Sequence, residues 1–323
     1  MRILFQGLSI FTLVFSTVLT VAQENNIAQG EMIVSLDVPD AIQVEWNYDL
    51  SKLAILTGEQ IQIWDTEIWQ LSHTISPANV YSFAWHPNEN ILAGVRGGRH
   101  EELTIWNGDT GELEKQIIRQ IPEDTPGIVI IHSLSWSPDG SQIVSDSTID
   151  TITIWDLDTE TYETLVPAFD DTAHNIVEIS WSQDGDYLLS GAIDDTVRIW
   201  NVANGEEELR VEGYKYIAWH PNQTHFAAAG FDTSIMIWDF ASGQEQLEFS
   251  EHTNTITSIS WNFDGQTLSS TDADGNLLVW EFSTANIAFI DLPNATFVVN
   301  TGWRPDGLQL AIVTRQEVLI VNW

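Results

Sequence analysis

His252, Ser270 and Asp274 are the residue types of a hydrolytic triad, gathered in one short stretch of this 323-residue chain. In such a triad a histidine takes the serine proton and an aspartate orients the histidine. Leu268 and Asp272 stand two residues either side of Ser270, so the Gly-x-Ser-x-Gly elbow that exposes such a nucleophile is missing. Asp272-Ala273-Asp274-Gly275-Asn276 resembles the start of a calcium loop. Its glycine spacing is wrong, however, and position twelve is not glutamate, so a structural turn is the better reading. Asp194-Asp195 reads the same way. The eight histidines show no His-Glu-x-x-His spacing for a metal. One further loop stands out: Arg96-Gly97-Gly98-Arg99-His100-Glu101-Glu102 puts two of only eleven basic residues beside a histidine.

The elements that must position these groups are set by tryptophan. Trp46, Trp85, Trp136, Trp181, Trp219, Trp261 and Trp303 each close a short apolar run. Each is followed 18 to 21 residues later by a second anchor, at Trp64, Trp106, Trp155, Trp200, Trp238, Trp280 and Val321. Copies lie 38 to 51 residues apart. Between the anchors come tight turns such as Ser137-Pro138-Asp139-Gly140 and alternating strands such as Thr196-Val197-Arg198-Ile199-Trp200. Seven units of several short strands predict an all-β, seven-bladed propeller of four-stranded antiparallel blades. The last copy stops after its third strand, and Gly30 to Leu36 precedes the first copy without a repeat of its own. This segment is expected to be the outer strand of blade seven, closing the ring and hiding its edges. Thirteen of the fifteen tryptophans sit at repeat positions. At about 200 Å² each, packing accounts for them without a sugar-stacking surface. Trp69 and Trp323 fall outside, and Trp69 is expected to be more exposed than Trp136 or Trp181.

These residues resemble the WD-repeat (WD40-like) β-propeller family over about residues 31 to 323. The dipeptide stands at Trp64-Asp65, Trp155-Asp156 and Trp238-Asp239, and is softened at Trp106-Asn107, Trp200-Asn201 and Trp280-Glu281. The family's opening Gly-His is reduced to Glu251-His252. The resemblance implies that His252, Ser270, Asp274 and Trp280 form a structural relay, Asp to His to Ser to the indole N–H, rather than a triad. Together with the N-terminus described below, it points to a bacterial-type extracytoplasmic member.

First strands of a propeller line its channel. The residue before the first-strand tryptophan is Ala84, Ser135, Ser180, Ala218, Ser260 or Gly302, but Glu45 in blade one. Two positions earlier stand Ser82, Ser133 and Ser258, but Glu178 in blade four. Glu45 and Glu178 are therefore weak candidates for a cation site or an acid–base pair, against a plain role as hydrogen-bonded channel residues. Arg96, Arg99 and His100, with Arg119 at the head of the connection to Gly127, form the candidate partner-binding face. Such a loop would attract an acidic or carboxylate-bearing partner.

The formal charge of −36 repels phosphate backbones and anionic lipid heads, which argues against nucleic-acid binding. Ile3 to Ala22 carries no charge and follows Met1-Arg2. Residues 1–22 read as a secretory signal cleaved after Ala22, or as an uncleaved anchor, the one route to a membrane. Residues 23–30 are a short linker and 31–323 the propeller. No cysteine is present, so neither a disulfide nor a lipidated cysteine is available. The expected function is a non-catalytic scaffold for a protein or peptide partner, secreted or envelope-facing, with no cofactor. The alternatives are a metal-dependent or hydrolase-like propeller using the channel carboxylates, and a membrane-tethered ligand-binding sensor.

Overall fold

The computed structural model describes residues 31–323, apart from 59, 77–79, 122, 124–128, 148–150, 166–174, 213–214, 230–232 and 290–296. The expected signal segment and linker, and most of the connection from 121 to 127, lie outside the described residues.

Seven four-stranded antiparallel sheets follow one another along the chain. Blade one runs over 41–75, blade two over 82–120, blade three over 134–165 and blade four over 176–212. Blades five and six occupy 216–249 and 256–289. Blade seven takes three strands from 298–322 and its fourth from Glu31–Leu36. That closing strand pairs antiparallel with the last one, Glu31 opposite Asn322 and Leu36 opposite Val318. Leu36 and Val38 are buried against Val318 and Ile320. The fold is the seven-bladed, N-terminally closed propeller that the repeat predicts.

The alternation of each strand puts one row of side chains against each neighbouring blade, and the core is correspondingly split into seven clusters. Eleven of the thirteen repeat tryptophans are buried, while Trp64 and Trp219 are half-buried. Trp69 is half-buried and more exposed than Trp136 or Trp181. It still meets the edge of Trp46, with ring centroids 6.0 Å apart, and so joins the core between blades seven and one.

Neighbouring blades are clasped by the residue after the first tryptophan. His220 Nε2 lies 2.9 Å from the carbonyl of Gly265 in the next blade's turn, and Asn262 donates to the carbonyl of Gly307 at 3.2 Å. At Gly140 the backbone takes φ 77°, and a Cβ there would meet His86 at 2.0 Å. The turn glycine therefore provides both the bend and the space for the clasp.

Candidate functional site

First strands are the inner edges of their sheets, so alternate backbone N–H groups have no strand to donate to. In blades one, three, four and seven, side chains one or three residues before the first-strand tryptophan fill that need across the blade boundary. Gln43 accepts from Phe83 N at 3.3 Å, Ser133 from Ile179 N at 3.3 Å and Ser135 from Trp181 N at 3.2 Å. Asn300 accepts from Val44 N at 3.4 Å. In return the indole of the next blade donates backward: Trp85 Nε1 to the Glu45 carbonyl at 3.1 Å and Trp136 Nε1 to the Ala84 carbonyl at 3.0 Å.

Glu45 and Glu178 occupy these same strap positions. Glu45 Oε1 accepts from Trp85 N at 3.2 Å, and Glu178 Oε2 from Ile217 N at 2.8 Å. Both line a central channel of about 1170 Å³ walled by the first strands. Burial raises Glu45 to about 8, only partly offset by the amide of Trp85. Burial raises Glu178 to about 7, opposed by the Ile217 amide and assisted by the charge of Asp146. Four of the first strands carry a register shift just ahead of the outer strap residue, at Gln43, Glu178, Ser258 and Asn300. Such a shift re-aims the side chain that follows it. Among the described residues no group of three or more His, Asp or Glu side chains gathers as a metal set.

The relay in blade six differs from the spacing-based expectation at one residue. His252 Nε2 lies 2.7 Å from Ser270 Oγ, and Trp280 Nε1 donates to the same oxygen at 2.7 Å. The carboxylate on His252 Nδ1 is that of Asp272, at 3.0 Å, not that of Asp274. Asp272 and Ser270 are two residues apart on one strand and point to the same side. Asp274 stands exposed at the turn apex, where it accepts from Asn254 at 3.1 Å. Burial pushes Asp272 up, but hydrogen bonds from Asn276 and His252 outweigh it and hold the carboxyl below its ordinary value. Burial also lowers His252, so a neutral imidazole donates to Asp272 and accepts from Ser270. Ser270 is fully buried with both its bonds committed. It links a ring to an indole and is not placed as a nucleophile. Asp272→Ala should cost about 1–3 kcal/mol by leaving the imidazole N–H unpaired, whereas Asp274→Ala should stay within about 0.5 kcal/mol. Urea midpoints of the two variants check this, and equal losses would return Asp274 to the relay.

Half of that relay recurs where its sequence signal was not used. A serine ten residues before the tryptophan meets its indole in blades three and four: Ser145 with Trp155 at 2.9 Å and Ser190 with Trp200 at 2.8 Å. In blade three His132 Nδ1 contacts Asp146 at 3.0 Å, and the amides of His132 and Ser133 donate to the same carboxylate.

The candidate partner-binding face is largely neutralised from within. Most of the long loop is strand, since His100 pairs with Gln120 and Arg96 with Glu102. A Cβ at Gly97 would come within 2.1 Å of the Val129 carbonyl, so the returning connection lies directly on the hairpin. Arg96 reaches Glu102 at 2.5 Å, and His100 lies 3.4 Å from the same carboxylate. Arg119 is buried and bound to fully buried Glu101 at 2.8 Å, which corrects its assignment to an exposed face. A buried arginine requires a carboxylate partner, and Glu101 and Glu102 supply it to this hairpin. Arg99 alone of the four is exposed.

Comparison with known families adds an independent observation. The family model described as WD domain, G-beta repeat matches residues 166–201, 214–239 and 243–281. These stretches contain the first three strands of blades four, five and six. Blade six also carries the complete His–Ser–Trp relay. The chain thus carries WD40 repeats, set within a closed ring of seven blades.

Proposed function

We propose that this protein is a non-catalytic interaction platform, secreted or envelope-facing, that receives a basic protein partner on the face formed by the first turn of each blade. WD40 propellers are commonly protein-interaction scaffolds, and a fold alone does not select the partner. The observation that carries the choice of face is a ring of acids. Asp49, Asp139, Asp184, Asp264 and Asp306 are exposed in five of the seven first turns. The nearby cations are already paired, Lys52 with Asp109, Lys115 with Glu160 and Arg304 with Asp306. The polar groups that suggested catalysis are engaged structurally: Ser270 on an indole within blade six, Glu45 and Glu178 on backbone amides of the next blade. The charge-free run from Ile3 to Ala22 supports the extracytoplasmic placement, and a mature N-terminus at Gln23 is expected on sequencing.

A matched net field of this kind speeds and orients docking and is screened by salt. Affinity capture with the tagged mature protein should therefore enrich basic partners that elute as salt is raised through about two Debye-length halvings, roughly 0.1 to 1 M. Replacing Asp139, Asp184 and Asp264 together by asparagine should weaken that capture. Salt-insensitive capture that survives the triple replacement would overturn the choice of face.

A further inference from the structure

Where the channel opens at the first-turn face, it is rimmed by the residue two positions after each first-strand tryptophan. Six of these are apolar or aromatic: Tyr48, Pro87, Pro138, Pro221, Phe263 and Pro305. Tyr48 and Phe263 are 44% and 58% exposed, although nothing in the core of either blade requires an aromatic ring there. Just inside, three residues back along the strand or roughly 10 Å at 3.3 Å per residue, comes the layer of small residues. There Glu45 is the single side chain longer than serine. One of its oxygens is held by the Trp85 amide at 3.2 Å. Among the described residues the other has no hydrogen-bond partner, and Glu45 lines the channel.

We propose that this mouth is a binding site for a primary ammonium group, that of a lysine side chain on a protein partner. An apolar stem suits a rim of proline and aromatic rings, over which a cation is also favourably placed. The head then meets the Glu45 carboxyl, which gives up its proton as the ammonium binds, in a layer with room around it. The free oxygen count selects ammonium over guanidinium. A guanidinium binds carboxylate through two parallel N–H donors to two oxygens, and the Trp85 amide already occupies one. A compact ammonium needs only the other. The ring of exposed aspartates outside the rim draws the cation toward the opening. Assigning the ammonium to a partner's lysine rests on the platform reading above; the ammonium site itself does not.

The test uses the full-length mature protein and butylammonium as probe, followed through the indole NMR signals. At about pH 9, where Glu45 is ionised and the amine is still protonated, butylammonium should bind with a dissociation constant of about 1 mM and perturb the Trp85 indole. Neutral 1-pentanol and butylguanidinium should each bind about tenfold more weakly or worse. Glu45→Gln keeps an acceptor for the Trp85 amide and should lose the binding. Phe263→Ala, on an exposed rim residue, should weaken it without touching the fold. Equal binding by Glu45→Gln and the parent, or by pentanol and butylammonium, overturns the site. N-acetyl-lysine methylamide should bind at least as well as butylammonium. If it does not while the free amine does, the occupant is a small amine and the lysine assignment fails. Salt-sensitive capture of basic partners without any butylammonium binding would remove this site and leave the platform standing.

Discussion

Deleting residues 31–37 should abolish cooperative folding of the propeller. The deletion removes the fourth strand of blade seven, with its register from Glu31–Asn322 to Leu36–Val318. About four or five ladder hydrogen bonds at about 1 kcal/mol net each are lost. Burial of Leu36 adds about 2 kcal/mol, and the strand Val318–Asn322 becomes an unpaired edge. The sum of about 5–10 kcal/mol is comparable with the whole stability of an ordinary domain, about 5–15 kcal/mol. Thermal unfolding followed by tryptophan fluorescence should lose its sharp transition. A synthetic peptide of residues 31–38 added in excess should restore it, because the docking groove on blade seven is otherwise complete. A deleted chain that melts like the parent would show that closure contributes little.

Raising the pH should weaken the fold through the two channel glutamates. Glu45 is raised by burial from 4.5 to about 8 and Glu178 by burial to about 7. Their folded-state values lie above the unfolded ones, so the folded protein holds more protons between them. The stabilisation is fully present below pH 4.5 and is lost as pH rises through about 7 and then 8. At about 1.4 kcal/mol per unit the shifts set an upper bound. Water in the channel screens both groups, leaving about 3–5 kcal/mol for the pair. The double variant Glu45→Gln with Glu178→Gln should therefore flatten the stability profile between pH 5 and 9 and be the more stable protein at the alkaline end. His132, held up by its bond to Asp146, and Asp146, raised by burial, both slope the same way. The difference between parent and variant, measured by urea unfolding at each pH, isolates the glutamates. A profile with the same slope in both would show the carboxyls ionised throughout.

The sequence by itself determined the architecture. The anchor period, the turn signals and the missing fourth strand of the last repeat each follow from local spacing, and a repeat can bury its faces only against copies of itself. The relay serine and histidine were legible for the same reason, since both lie within one blade at fixed offsets. What spacing could not decide is which way a side chain turns at a strand end. Asp272 and Asp274 are two residues apart at one turn, and only the end of the strand decides that the first goes inward. The same holds for charge. In sequence, Arg96 and Arg119 read as exposed cations. In the folded chain the eight-residue strands His100–Asn107 and Leu113–Gln120 extend this hairpin at one end, and Glu102 and Glu101 lie opposite Arg96 and Arg119. Pairing across strands depends on register, and register is a property of the assembled sheet. Glu45 and Glu178 show both sides: their deviation from small or hydroxylated neighbours marks them in the sequence, but the amides they hold belong to the next blade. Only the tertiary structure brings those edges within reach.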